Sequence, residues 1–170
     1  MSKAWSDALD VFSTCPPSAG FDRATYLDHV IKISRWSDQF GCKGMLVYTD
    51  YSLVYPWLLS QTIILNTQRL APLVAIQPIY TLPYTAAKNI ATIAHLHGRK
   101  LYVNMLAGGF KNDLVALGDD TPHDDRYVRM EEFTKIMRGL CESPDPVSFE
   151  GKYYQVLQCQ RIETHPVDTA

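Results

Sequence analysis

A histidine and a tyrosine four residues apart are the polar pair in this sequence best placed to bind a ligand. His123 and Tyr127 fall at the start of a segment with helical periodicity, so both side chains would lie on one face of its first turn. Unpaired backbone amides at a helix N-terminus attract phosphate or another anion. One interpretation is therefore a ligand site. The other is that Asp124 and Asp125 complement the helix dipole, His123 caps the helix and Tyr127 packs in the core.

Polar residues also follow three apolar segments that have the character of buried strands. In parallel α/β folds, chemistry gathers where such strands end. Asp50 can accept a hydrogen bond from a ligand there, or cap the next turn. Gln77 and Asn104 each offer a donor and an acceptor, which a neutral ring such as isoalloxazine needs. The alternative is that these amides satisfy loop backbone.

Other kinds of site have little support in the sequence. No glycine-rich phosphate-binding fingerprint occurs, and the four cysteines form no CxxC pair, which indicates reduced thiols. His95 and His97 are two residues apart, so on a helix they would not share a face, and no carboxylate cluster accompanies them. We therefore predict no metal site. No catalytic residue can be assigned, because catalytic groups of this kind are gathered by the fold and not by sequence order.

Short apolar runs alternate with amphipathic segments along most of the chain. Pro56 and Pro83 stand where a first helical turn tolerates proline, and Gly41 and Gly98 stand where helices end. Strands recur about every thirty residues, the length of a βαβ unit, which favours parallel strands. The predicted strands are residues 8–13, 44–49, 70–77 and 101–106, and the predicted helices are residues 22–40, 56–66, 84–97 and 124–142.

Three further features complete the predicted organisation. The first helix has a periodic stripe of Leu27, Val30, Ile31, Ser34 and Asp38. A long polar loop is predicted over residues 108–123, of a length that is usually functional or mobile. Residues 147–156 alternate around Glu150-Gly151, which predicts a hairpin.

Composition narrows the class of protein. The chain has 170 residues, is 46% hydrophobic and 20% charged, and carries a formal charge of −2. These values are typical of a globular protein and give no electrostatic reason to expect nucleic acid or an anionic membrane. No apolar run approaches the roughly 20 residues that span a bilayer, and the N-terminus lacks the apolar stretch of a signal peptide. We expect a cytoplasmic protein that binds neither nucleic acid nor membrane.

Five segments, taken together and in order, resemble the bacterial luciferase-like flavin monooxygenases, and within them the alkanesulfonate monooxygenase branch. The resemblance extends over residues 8–156, and its most specific parts are the segment from His123 to Phe133 and the segment from Val147 to Tyr154. The five segments are residues 40–47, 70–83, 98–108, 123–133 and 147–154.

The resemblance implies a flavin-dependent oxidation. Such enzymes bind reduced FMN supplied by a separate reductase, and oxygen adds to the flavin to give a peroxyflavin that oxidises a small organic substrate. By position, Asp50 and Asn104 would touch the isoalloxazine, and His123 and Tyr127 would reach the flavin from the helix start. Leu53 falls where the alkanesulfonate enzymes have a cysteine, which argues against desulfonation. FMN and a deazaflavin are both open at this point.

The resemblance also implies an α/β fold of TIM-barrel-like (β/α) units with an extra C-terminal hairpin. About four of the eight units are present, because a closed barrel typically needs roughly 250 residues. Residues 1–156 would form the first half, and residues 157–170 a flexible polar tail. Unpaired sheet edges invite association, so a second chain or a second copy would complete the barrel. The alternatives are a fragment, a degenerate relative, or a non-catalytic half-barrel module that binds flavin or dimerises.

Overall fold

A computed structural model describes residues 9–160 as four strand–helix units followed by a further helix and a hairpin. Phe12–Thr14 (β1), Gly44–Val47 (β2), Ala71–Ile76 (β3) and Tyr102–Met105 (β4) form the sheet. The helices are Arg23–Gln39 (α1), Pro56–Asn66 (α2), Pro83–His97 (α3), Lys111–Ala116 (α4) and His123–Glu142 (α5), and the hairpin strands are Val147–Glu150 (β5) and Gln155–Cys159 (β6).

The sheet has the parallel strand order that the repeat length predicts. Its strands pair in the order β1-β2-β3-β4, with Phe12 opposite Gly44 and Gly44 opposite Ala71 in parallel register. β5 and β6 pair antiparallel as a separate two-stranded sheet. The predicted class is therefore confirmed: an α/β fold of four (β/α) units with a C-terminal hairpin. No helix within residues 9–160 is long and apolar enough to cross a membrane.

Local signals account for the helix boundaries. Pro56 and Pro83 occupy the first turns of α2 and α3, where a proline removes no intrahelical hydrogen bond. The Asp22 side chain accepts a 2.8 Å hydrogen bond from the Ala24 amide at the N-terminus of α1. Gly98 ends α3 in the left-handed conformation, with φ +59°. The predictions of these helix ends are confirmed to within a residue or two.

The described chain divides into two compact units, and each has its own core. The first contains residues up to 75 together with residues 99–103, and the second contains residues 76–98 and those from 104 onward. In the first unit, Val30, Met45, Ile63 and Leu70 are fully buried. In the second, α3 packs against α5. The buried residues of α3 include Ala86, Ala87 and Ala91, and on α5 Phe133 and Ile136 are fully buried.

The buried face of α1 differs from the predicted stripe. Tyr26, Val30, Ser34 and Ser37 are buried, whereas Leu27 is 48% exposed. Two of the buried residues are serines, whose small side chains carry a weak apolar signal. The Ser34 hydroxyl donates to the Val30 carbonyl at 2.6 Å, so its burial leaves no unsatisfied donor.

Three boundaries near the C-terminal half also differ from prediction. Residues 108–123, predicted as a loop, contain the short helix α4. The hairpin does not turn tightly at Glu150-Gly151. Residues 151–154 form the turn, because the carboxylate of Glu132 binds three of its backbone amides. β6 continues to Cys159, past the predicted boundary at 156, and the rest of the predicted tail, residues 161–170, lies outside the described residues, as does residue 8 of the first predicted strand.

Candidate ligand-binding site

The main candidate site is an open cavity of about 620 Å³ in the second unit. Residues 105–109, which end β4 and follow it, form one wall. Two residues of α4 and four of α5 form the rest, and Lys111, His123 and Arg126 contribute nitrogen-bearing side chains to it. Its size lies within the roughly 300–1,000 Å³ of small-molecule sites. The cavity can therefore hold an organic ligand of moderate size that carries negative charge.

The structure brings His123 and Tyr127 together on the wall of this cavity. Their ring centroids are 5.3 Å apart, and Tyr127 is 52% exposed. The prediction that they share one face of the helix is confirmed, whereas the alternative in which Tyr127 packs in the core is wrong. Pro122 stands at the N-cap position without a side-chain hydrogen bond to the helix, and His123 Nδ1 lies 3.0 Å from Asp124 Oδ1. That either residue contacts a flavin stays a prediction.

Arg126 is a cavity residue that the sequence analysis missed. Its Nη1 donates to the Gly108 carbonyl at 2.7 Å, and its buried Nε has no hydrogen-bond partner among the described residues. Gly108 has φ +107°, and a Cβ there would lie 3.3 Å from Leu114 Cδ2 and 3.4 Å from Arg126 Cδ. Glycine is thus required where the chain passes under the guanidinium. The sequence did contain a signal for Arg126. It lies three residues after His123, and residues three apart on a helix are neighbours on its surface.

A mostly buried ion pair holds α5 to the segment that precedes it. Arg129 Nη2 lies 2.6 Å from Asp119 Oδ2, and the two side chains are only 13% and 9% exposed. The Thr121 hydroxyl donates to Asp119 Oδ1 at 2.5 Å. The hydrogen bond from Arg129, with those from Thr121, lowers the pKa of Asp119 to about 2. This network ties the second turn of α5 to the segment that precedes the helix.

Asp50 belongs to the first unit, where its carboxylate caps a turn. Its Oδ1 accepts from the Ser52 amide at 2.6 Å, the Ser52 hydroxyl at 2.7 Å and the Leu53 amide at 3.0 Å. Although desolvation opposes the change, these hydrogen bonds lower the pKa of Asp50. Of the two interpretations from sequence, the structure shows the turn cap. Asn104 is the third residue of β4, half-buried, directly before Met105 of the cavity wall. A flavin contact by either residue stays a prediction.

Leu53 occupies the position at which a cysteine was expected from the resemblance. It lines a small cleft in the first unit together with Cys15 and Tyr26, so a thiol does lie in this cleft, contributed by the end of β1. Burial raises the pKa of the Cys15 thiol to about 11, and that of Tyr26 to about 12. The thiol is therefore protonated at neutral pH and a poor nucleophile.

Comparison with known proteins gives a consistent result. The family model described as luciferase-like monooxygenase matches residues 9–170. A curated relative, the 4-(gamma-L-glutamylamino)butanoyl-[BtrI acyl-carrier protein] monooxygenase BtrO of Niallia circulans, is 36% identical over 131 residues. That alignment covers 77% of this chain and 38% of the relative.

Two solved structures share the fold and differ in cofactor. One is the oxygenating constituent of 3,6-diketocamphane monooxygenase, from the CAM plasmid of Pseudomonas putida, in complex with FMN: 18% identity, TM-score 0.71, covering 87% of this chain and 43% of that one. The other is the coenzyme F420-dependent tetrahydromethanopterin reductase of Methanopyrus kandleri: 18% identity, TM-score 0.73, covering 91% and 46%. This chain spans less than half the length of each of these three proteins.

Proposed function

Because this chain belongs to the luciferase-like monooxygenase family, we propose that it forms part of a monooxygenase that uses reduced FMN to oxidise a small organic substrate. The observation that carries the proposal is the cavity of about 620 Å³ in which the first turn of α5 places His123, Arg126 and Tyr127 beside the segment after β4. That combination of aromatic, cationic and backbone groups suits a planar ring with an anionic, oxygen-rich tail.

The residues of the cavity fit such a cofactor. The Arg126 Nε is buried without a partner among the described residues, so a donor is available to an incoming oxygen. Arg126 and Lys111 supply positive charge, and a guanidinium binds phosphate well because its donors form a planar fork. Asp124 and Asp125 at the helix start oppose an anion, but Asp124 contacts His123 and Asp125 is paired with Lys152 at 2.7 Å. Lys152 thus offsets the charge of Asp125, and the Asp124 side chain is fully exposed, where solvent and salt screen its charge.

Each predicted contact residue has a role in the proposal. His123 and Tyr127 donate hydrogen bonds to the oxygens of the cofactor, and Arg126 and Lys111 balance its phosphate. Asn104 contacts the ring through its amide. Asp50 contacts it through Oδ2, because the hydrogen bonds of its turn use Oδ1. When bound, reduced FMN supplies the two electrons that activate molecular oxygen. This chain's residues bind and orient it and exclude water from one side.

The proposal includes partners. A reductase supplies the reduced flavin, and further polypeptide, either a second chain or a second copy, completes the barrel. The support is the parallel sheet itself, since β1 and β4 stand at its two edges and an edge strand presents unpaired backbone groups. The alternative function, a non-catalytic flavin-binding or dimerising half-barrel, differs from this one in that it consumes no oxygen.

Titration of Tyr127→Phe with FMN tests the proposal, because this change keeps the ring and removes only the hydroxyl. Loss of one hydrogen bond to a charged group costs about 1.5–3 kcal/mol, so affinity for FMN should fall roughly ten- to hundredfold. The full chain is measured alone and with the polypeptide that completes the barrel, and binding is expected to be tighter in the completed assembly. Coenzyme F420 is titrated alongside to separate the two flavin classes.

The matched control is Tyr102→Phe, which removes a tyrosine hydroxyl at the opposite, amino end of β4 and should leave FMN affinity unchanged. If Tyr127→Phe binds FMN as tightly as the wild type, the binding role of Tyr127 is withdrawn. If the protein binds F420 and does not bind FMN, the proposed cofactor becomes F420. Flavin binding by the completed assembly without flavin-dependent oxygen consumption would favour the non-catalytic module.

A further inference from the structure

A chain of three polar side chains lies at the carboxyl end of β3, apart from the residues that line the cavity. Gln77 is 1% exposed and directly follows the strand. Its Nε2 donates to the Tyr80 hydroxyl oxygen at 3.4 Å, and the Tyr80 hydroxyl donates to Asp113 Oδ2. Asp113 is 3% exposed and belongs to α4, the helix that sequence reasoning predicted as loop. All three residues belong to the second unit.

Counting protons fixes the orientation of the Gln77 amide. The Tyr80 hydroxyl donates its single proton to Asp113 Oδ2. The Tyr80 oxygen then has only lone pairs to offer, and Gln77 must present its NH₂ group to it. The carbonyl oxygen of the amide, Oε1, consequently points away from Tyr80.

That oxygen is buried, and no donor among the described residues reaches it. Leaving a buried acceptor unsatisfied is unfavourable, so an atom of this kind calls for a partner, such as a donor on a bound ligand. The chain neighbours Ile76 and Pro78 are buried and apolar, and the carboxylate of Asp113 already accepts from Tyr80. A cation would find no countercharge there, so the complementary group is a neutral N–H donor on a ligand.

We propose that Gln77 Oε1 accepts a hydrogen bond from a ring N–H of the bound flavin, and that Tyr80 and Asp113 are positioning residues that hold the amide in this orientation. The inference rests on the proposed function, because it takes the flavin as the ligand. It also gives α4 a role: the helix carries Asp113, which orients the amide through Tyr80.

The test compares Gln77→Met, which keeps the length of the side chain and removes both polar atoms, with the wild type. The probes are FMN and N3-methyl-FMN, which differ in one ring N–H donor. The wild type should bind FMN about tenfold more tightly than the methylated analogue. Gln77→Met should bind FMN about tenfold more weakly than the wild type and should no longer distinguish the two flavins. Without ligand, its Tm should change little, because removal of an unsatisfied acceptor offsets the loss of the long hydrogen bond from Gln77 to Tyr80.

A second variant separates positioning from simple stabilisation. In Asp113→Asn the new amide can donate to the Tyr80 oxygen, which frees the Tyr80 proton for Gln77 Oε1. Asp113→Asn alone should then lower FMN affinity about tenfold. Added to Gln77→Met, it should cause no further loss of FMN affinity. A merely structural role for Asp113 would lower Tm and would leave the two effects on affinity additive. Gln68→Met, an exposed site in the first unit, serves as the control for the glutamine-to-methionine exchange.

The outcomes distinguish this inference from the proposed function. No FMN binding by the wild-type assembly would refute both. Equal FMN affinity in the wild type and Gln77→Met, or discrimination between the two flavins that survives the substitution, would refute this inference alone. A Tm of ligand-free Gln77→Met that is lower by more than the loss of the long hydrogen bond to Tyr80 explains would show that the protein itself satisfies Oε1, and would also overturn this inference.

Discussion

Replacing Glu132 with glutamine should destabilise the second unit more than any other single-atom change on α5. Glu132 is 8% exposed, and its carboxylate accepts from the backbone amides of Lys152 and Tyr153 at 2.8 Å and of Tyr154 at 3.2 Å. These three donors come from the turn that joins β5 to β6. One carboxylate therefore accepts from three backbone amides of the turn and links the hairpin to α5.

The expected loss follows from those hydrogen bonds. Each hydrogen bond to a charged group contributes about 1.5–3 kcal/mol. In Glu132→Gln one oxygen still accepts, but the new NH₂ group faces backbone N–H donors, so at least one of them is left unsatisfied inside the protein. We expect the free energy of unfolding to fall by about 3 kcal/mol, which for a chain of this size lowers Tm by roughly 6–12 °C.

Circular dichroism on the full chain measures this change, with the adjacent Glu131→Gln as control. Glu131 pairs with Lys135 on the helix surface, and its side chain is 64% exposed, so its substitution should cost less than about 0.5 kcal/mol. Both variants lose the same charge from neighbouring positions of the same helix. The difference between their free energies of unfolding therefore measures the contribution of the hydrogen bonds between Glu132 and the turn.

The pH dependence provides a second, independent result. Desolvation raises the pKa of Glu132, but the three backbone donors outweigh it, and the folded-state pKa is lowered. A lowered carboxyl pKa gives stability that is complete above the unfolded value, about 4.3, and is lost as pH falls through the folded value. The difference in free energy of unfolding between the wild type and Glu132→Gln should become smaller as the pH falls from 7 to 3. Equal Tm values for the two glutamine variants, or a gap independent of pH, would refute the reasoning.

Two further predictions concern the same unit. Gly151→Ala should lower stability by about 1–3 kcal/mol, because its Cβ would lie 2.6 Å from the Glu132 carboxyl group. In a Glu132→Ala background the added cost should shrink, and additive losses in the double variant would contradict the steric explanation. Asp119, with a folded pKa of about 2, should contribute stability that is complete above pH ~4 and lost as pH falls through 2. Urea unfolding of the wild type and Asp119→Asn at pH 7, 4 and 2 measures it, and a difference undiminished at pH 2 would contradict the assignment to Arg129.

Sequence alone determined the order of the four strands and placed the ends of the four predicted helices to within a residue or two. Pro56, Pro83 and Gly98 mark helix ends through their own backbone preferences, which need no knowledge of the rest of the chain. Strand spacing of about thirty residues indicated parallel pairing for the same kind of local reason. The shared helix face of His123 and Tyr127 also follows from helical geometry, and it survives in the structure.

The sequence pattern did not predict elements that are short or that carry a weak apolar periodicity. α4 has six residues, less than two helical turns, so it shows no resolvable periodicity and was predicted as loop. On α1 the predicted stripe omitted the buried Tyr26 and Ser37 and included the exposed Leu27, because a serine gives no apolar signal.

Only the tertiary structure decided which polar residues are buried together. Tyr80 and Asp113 are 33 positions apart, and Glu132 is 20 positions from Lys152, yet each pair forms a hydrogen bond. A buried polar side chain is stable only where its partner is already in place, and that partner is set by the packing of elements and not by neighbours in the chain. The composition of a segment cannot reveal this. For the same reason Arg126 became a candidate ligand residue only in the folded chain, and only there is it seen that the Gln77 carbonyl oxygen lacks a partner.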